Sequence, residues 1–275
     1  MEVSEVRMLH FKTYELSPSH DWAVFIHGAG GSSSIWYKQI KEFKKHFNVL
    51  LLDLRGHGKS KNKKTTAKQA YSFDEVSFDI LEVMNHLKIK SAHFIGISLG
   101  TILIRNIAKF EPNRIKSMIL GGAVIRLNTR VKTLMFLGNL TKKFIPYMWL
   151  YRLFAWCLMP KKRHGQSRLL FVEQAKKLCQ KEFIKWFKLT KDVSPLLIHF
   201  EESPVNIPTL YIMGNEDYMF LLPVQEVVKE SNNAKLTILE NSGHVCNVDQ
   251  AQRFNEVSIE YLIGQMNDES RIVEG

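Results

Sequence analysis

Cysteine, acidic side chains and long apolar runs are all in short supply in this chain, and each shortage excludes something. The three cysteines, Cys157, Cys179 and Cys246, are far apart, odd in number and at no metal-ligand spacing. That argues against a disulfide scaffold and against a thiolate metal centre. The longest apolar stretch, Phe144 to Pro160, is interrupted by Arg152 and is too short for a comfortable membrane span. The first ten residues carry Glu2, Glu5 and Arg7, with no apolar run leading to a small-residue cleavage site. A reduced, cytoplasmic protein is the simplest expectation.

The acidic deficit is 27 Asp and Glu against 38 Lys and Arg, a formal charge of +11 over 275 residues. Such an excess raises nucleic acid, an anionic membrane surface and an acidic substrate or carrier as partners. Its distribution narrows the choice. The segment from Gly122 to Phe200 holds 16 basic and three acidic residues, a net +13, and the remainder is close to neutral. Nucleic acid is not expected, because the near-neutral remainder shows no binding module and the basic residues share helices with aromatics. At 45% hydrophobic and 24% charged, the chain has an ordinary globular composition.

What is present is an alternation. Ala23 to Ile26, Val49 to Leu52, His93 to Ile95, Met118 to Leu120, Leu210 to Met213 and Leu236 to Leu239 are short, continuous apolar runs. Runs of this kind suit strands buried on both faces of a parallel sheet. Between them, Phe73 to Leu87, Thr101 to Phe110, Pro223 to Glu230 and Phe254 to Ile263 have helical spacing. The pattern predicts an α/β fold with a mainly parallel central sheet flanked by helices. One segment departs from it. Residues 122–200 contain no buried strand but several amphipathic, aromatic-rich stretches: Met135 to Ile145, Tyr147 to Met159, Arg168 to Leu178 and Lys181 to Leu189. They predict a helical cap inserted between two parts of one core, 1–121 and 201–275. The basic run from Lys59 to Lys68 reads as an exposed loop.

Chemistry concentrates at predicted strand ends. Gly96-Ile97-Ser98-Leu99-Gly100 follows one strand and opens a helix, the context in which G-x-S-x-G forms a nucleophile elbow that presents Ser98. His27-Gly28-Ala29-Gly30-Gly31 follows another strand, and a glycine-rich turn there lets backbone N–H groups approach an oxyanion. The two donors are assigned to Ala29 and Leu99. Neither the Walker lysine ending nor the G-x-G-x-x-G pattern is present. Ser98 needs a base, and the base needs a partner. His244, in a glycine-containing loop after the last strand, is the candidate base. Asp217, after the strand Leu210 to Met213, is the candidate acid, with Glu216 as its neighbouring alternative. The order serine, acid, histidine is the one expected of an elbow-bearing fold.

These motifs, with Asp53-Leu54-Arg55-Gly56-His57-Gly58-Lys59-Ser60, resemble the α/β-hydrolase superfamily, in particular its lid-bearing serine hydrolases of carboxylesterase type. The resemblance covers the whole core and implies that Arg55 and His57 are structural. Superfamily members acting as dehalogenases or epoxide hydrolases use an aspartate nucleophile, and Ser98 argues against both. The implied activity is hydrolysis of carboxylic esters of an apolar acyl group, without metal or other cofactor. Thioesters, lactones, carbon–carbon bonds or a non-enzymatic receptor role are the alternatives on the same scaffold. Phe220 and Val245, beside the acid and the base in sequence, are the expected substrate-binding residues. The positive charge of the cap is expected to form a solvated polar face of its helices; the alternative is a weak contact, through Lys161, Lys162 and Arg163, with an anionic membrane or an acidic acyl carrier.

Overall fold

The computed structural model describes residues 8–61, 71–142 and 144–273, with side chains up to residue 267. Most of the run Lys59 to Lys68 therefore lies outside the described residues. Seven strands form one sheet in the order β1-β3-β2-β4-β5-β6-β7. They span Phe11–Tyr14, Trp22–Ile26, Asn48–Leu52, Ala92–Ile97, Ile115–Gly121, Thr209–Gly214 and Ala234–Leu239 in chain order. Among the described strands only β1 runs antiparallel, paired with β3. Its Phe-Lys-Thr-Tyr sequence is half-exposed and has no continuous apolar run. An edge strand buries one side at most, so it carries no such signature in sequence.

Alternate residues of the central strands feed two separate cores. Val24, Ile26, Leu50, Leu52, Phe94, Leu120 and Met213 point to one face. Ala23, Phe25, Val49, Leu51, Ile119 and Ile212 point to the other. This period of two is the strand pleat, and it makes every central strand read as solidly apolar. The first face is covered by α2 (Phe73–His86), α3 (Leu99–Phe110) and α9 (Leu221–Lys229). α1 (Tyr37–Phe43) and α11 (Ala251–Val273) cover the second. Ser72 caps α2 by accepting the Glu75 N–H, and Asp74 and Glu75 complement the helix dipole. Pro223 sits in the first turn of α9, where its missing N–H has no intrahelical partner.

A helical insertion lies between β5 and β6. It comprises α4 (Thr129–Thr141), α5 (Tyr147–Leu158), α6 (Gly165–Ala175), α7 (Gln180–Lys188) and α8 (Thr190–Glu202). The fifth helix has no counterpart among the predicted ones. Pro195 lies inside α8, and an internal proline removes the strongest sequence sign of a helix. A short α10 (Cys246–Asp249) precedes α11. The insertion follows the C-terminal end of β5, so it rises over the same sheet edge from which the loops after β2, β4, β6 and β7 emerge.

The second core contains Phe254, fully buried and in ring contact with Trp36 at 6.3 Å. Phe254→Ala is expected to cost about 3–5 kcal/mol of stability, measured by denaturant unfolding. A loss near zero would contradict the packing described.

Candidate active site

The turn from β4 into α3 forces Ser98 into an unusual backbone conformation, φ 55° and ψ −117°. A non-glycine residue held there stores on the order of 1–3 kcal/mol of strain. Its surroundings hold it in place. The Ser98 N–H donates to the Gly121 carbonyl at 3.0 Å. The Ser98 carbonyl accepts from the Thr101 N–H and, at 2.6 Å, from the Thr101 hydroxyl. The flanking glycines are required sterically. A Cβ at Gly100 would collide with the Ile26 carbonyl oxygen, and one at Gly96 would lie 2.6 Å from Ile104 Cδ1.

His244 and Asp217 converge on this serine from the ends of β7 and β6. His244 Nε2 lies 2.9 Å from Ser98 Oγ, and His244 Nδ1 lies 2.8 Å from Asp217 Oδ2. Both His244 and Asp217 are buried. With Nδ1–H donating to the carboxylate, Nε2 is left to accept the serine proton. The loops carrying Asp217 and His244 are packed together: the Glu216 N–H donates to the Ser242 carbonyl at 2.9 Å. Asp249 fixes the base loop further by accepting the Gly243 N–H at 2.8 Å.

Leu99 occupies the first position of α3, where a backbone N–H has no intrahelical partner. Ala29 lies in the turn closed by the Gly31 N–H donating to the Gly28 carbonyl at 3.1 Å. Ala29, Leu99 and Ser98 border one cavity. Two histidines secure the turn. His27 Nε2 accepts the Leu54 N–H at 3.0 Å, and its Nδ1 donates to the Gly28 carbonyl. His57 Nε2 accepts the Gly30 N–H at 3.0 Å, and its Nδ1 donates to the Arg55 carbonyl. Each role needs a neutral ring. Burial, reinforced by the neighbouring His27, pushes the His57 imidazole down to about 3, and burial also lowers His27. Arg55 is engaged elsewhere, its Nε and Nη2 donating to Asp79 at 2.7 Å.

The cavity measures about 250 Å³. Its walls come from the core (Phe73, Ile102, Val124, Phe220) and from the insertion, chiefly Val131, Leu134, Met135, Phe154, Phe171, Phe183, Trp186 and Phe187. Among the described residues that line it there is no Lys, Arg, Asp or Glu. Phe220 lies against the His244 ring, tilted at 41° with centroids 5.2 Å apart, as well as lining the cavity. Val245 is placed differently from the sequence expectation. It turns away and packs with Ala155, Met159 and Val248. The cap side of the cavity could not be assigned residue by residue from sequence, because lining and packing aromatics have the same composition.

Glu216, the alternative acid, faces the cap and not His244. Its carboxylate accepts from Lys161 at 2.7 Å and bonds His164 Nε2 at 2.8 Å, with Arg163 at 3.7 Å. Burial would raise this carboxyl, but Lys161, His164 and Arg163 outweigh it and hold it below its usual range. Arg163 also donates to Asn241. In the run 161–163, Lys161 and Arg163 therefore pair with Glu216 while their side chains stay 41% and 48% exposed, and Lys162 is exposed with no ion pair among the described residues. His164, which has no distinguishing neighbours in sequence, is fully buried and packs on Gly243. It thus touches the residues preceding both Asp217 and His244. A second tie joins cap and core, where the Trp186 Nε1–H donates to the Arg55 carbonyl at 2.9 Å.

An α/β-hydrolase sheet with a helical insertion after β5 and a serine at the β4–α3 turn defines the class. A family model for the alpha/beta hydrolase fold matches residues 22–158. The chain belongs to the α/β-hydrolase fold superfamily. It is 25% identical over 272 residues to a Stutzerimonas stutzeri protein bearing the name carbamate hydrolase RutD, covering 94% of this chain and 97% of that one. It is 24% identical over 273 residues to 3-oxoadipate enol-lactonase 2 of Acinetobacter baylyi, covering 89% of each. Among solved structures, the enol-lactonase from Burkholderia xenovorans LB400 superposes with a TM-score of 0.75 at 22% identity, over 93% of this chain and 96% of that one. A carboxylesterase from Nitrososphaera gargenis gives 0.75 at 19% identity, over 94% and 95%.

The neutral histidines make a pH prediction. An unfolded His57 titrates near 6.5, and the folded one near about 3. As pH falls through that window the unfolded chain takes up a proton that the folded chain refuses. Stability from this source is complete above pH 6.5 and declines toward about 3. The melting temperature of the wild type should therefore fall more steeply on acidification than that of His57→Gln. Parallel curves would contradict the assignment.

Proposed function

We propose that the chain is a serine hydrolase that cleaves carboxylic esters of a short, neutral, apolar acyl group through an acyl-enzyme. The observation that carries this reading is the chain of hydrogen bonds Ser98–His244–Asp217 at the floor of a cavity whose described lining holds no Lys, Arg, Asp or Glu.

In this mechanism His244 Nε2 takes the Ser98 proton as Oγ attacks the acyl carbon. Asp217 holds the imidazole in the productive tautomer and stabilises its charged form. The Ala29 and Leu99 N–H groups receive the developing oxyanion, reinforced by the N-terminus of α3, and each such donor is worth about 10²–10³ in turnover. The imidazolium then returns its proton to the departing alkoxide, and water repeats the attack on the acyl carbon. The strain at Ser98 serves this chemistry by projecting Oγ beyond the sheet edge.

The cavity favours a neutral ester over other acyl substrates of the same triad. A substrate with a free carboxylate on its acyl part, such as an adipate-derived lactone, would have to bury that charge with no cation to meet it. Lactones without such a charge remain within the same reaction class. At about 250 Å³ the space also lies below the usual range for larger ligands. The partner implied by the site is a small acyl substrate.

Hydrolysis of p-nitrophenyl esters tests the reading. The butyrate should be turned over with a kcat/KM about 10²-fold or more above that of the hemisuccinate, whose carboxylate has no partner. Ser98→Ala should lower kcat by about 10⁴-fold or more. Equal turnover of the two esters would overturn the substrate class, and normal turnover by Ser98→Ala would overturn the mechanism.

A further inference from the structure

The helices α4 and α5 are apolar on the side that faces the cavity and again on the side that faces away from it. Leu134 and Met135 of α4, with Phe154 and Leu158 of α5, line the cavity. The opposite side of α5 presents Trp149, Leu153 and Trp156, one stripe at i, i+4 and i+7, with the two tryptophans 65% and 63% exposed. α4 adds Phe136 and Leu140, and Phe144 between the helices is 85% exposed. Large apolar side chains exposed along one stripe of a helix, as Trp149, Leu153 and Trp156 are on α5, mark an interaction surface.

Basic groups border this face. Arg130 and Lys132 on α4, Arg152 on α5 and Lys162 just beyond it are exposed and make no ion pair among the described residues. They belong to the segment with a net charge of +13. A second copy of the chain would bring like charges together across the contact, which disfavours self-association. An acidic carrier protein would answer the charge but not the row of Trp, Leu and Phe. Tryptophan with flanking cations suits the boundary between headgroups and acyl chains.

We propose that the outer face of α4 and α5 docks on an anionic lipid surface. The helices lie in the plane of the interface, with Trp149, Trp156 and Phe144 inserted and Arg130, Lys132 and Arg152 at the headgroups. One pair of helices then separates the bilayer from the cavity. This gives apolar esters dissolved in lipid a short route to Ser98. Docking itself concerns the outer surface alone and stands or falls separately from the catalytic reading.

Flotation of the full chain with vesicles tests it, using equal parts phosphatidylcholine and phosphatidylserine against phosphatidylcholine alone. Binding to the anionic vesicles at low salt, weakened by added salt, is expected. Trp149→Ser combined with Trp156→Ser should weaken partitioning by about tenfold or more, from the apolar surface lost. Arg130→Glu with Lys132→Glu and Arg152→Glu should abolish the preference for phosphatidylserine. Both variants should keep wild-type hydrolysis of a soluble ester, which shows that they fold. Absence of binding at low salt would overturn the proposal. So would a dimer in solution that dissociates when the two tryptophans are replaced. Retention on an acidic acyl carrier that survives the tryptophan changes would overturn it as well.

Discussion

The backbone of Ser98 is the constraint on which the rest of the site depends. A left-handed φ at a non-glycine residue persists only where neighbouring structure over-determines it. Here β2, β4 and α3 meet so closely that Gly96 and Gly100 cannot carry a side chain, and Thr101 and, from β5, Gly121 supply the hydrogen bonds that hold the turn. The same turn starts α3 immediately after the serine. The helix N-terminus, an unpaired Leu99 N–H and the serine oxygen therefore arise from one geometric event. Everything else in the proposed mechanism has to be brought to this point.

Two kinds of connection do so. Within the core, neutral His27 and His57 tie the turn containing Ala29 to the loop after β3, and the loops carrying Asp217 and His244 bond each other directly. Between cap and core, Glu216 gathers Lys161, Arg163 and His164, and Trp186 bonds the Arg55 carbonyl. The cap is thus anchored on the residue next to Asp217 and on the loop that supports the turn containing Ala29. Part of the cap's positive charge has a structural use, which is why the net charge of the segment overstates what it can offer a partner. Of the exposed remainder, Arg130, Lys132 and Arg152 sit on α4 and α5 beside the apolar face, while Lys177, Lys181, Lys188 and Lys191 lie on the later part of the insertion.

Much of the core was legible because parallel strands buried on both sides announce themselves as short apolar runs, and because catalytic candidates cluster where those runs end. Ser98, Asp217 and His244 are far apart in sequence, yet each follows a predicted strand, and the structure brings them within hydrogen-bonding distance. The edge strand β1 was hidden by its half-exposed pattern, and α8 by Pro195. The cap resisted residue-level reading for a different reason. Its aromatics pack on one another, line the cavity or face outward with the same composition, and only three-dimensional placement separates Phe154 from Trp156. His164 and Glu216 were equally opaque, since a buried pair formed across 52 residues leaves no local pattern.

Labelling with a fluorophosphonate, followed by mass-spectrometric mapping of the adduct, is the most direct test of Ser98 as the nucleophile. Rapid stoichiometric modification of Ser98 is expected in the wild type, and severe slowing is expected in His244→Ala, where the base is gone. An adduct on another residue, or labelling of Ser98 at the same rate without His244, would contradict the triad.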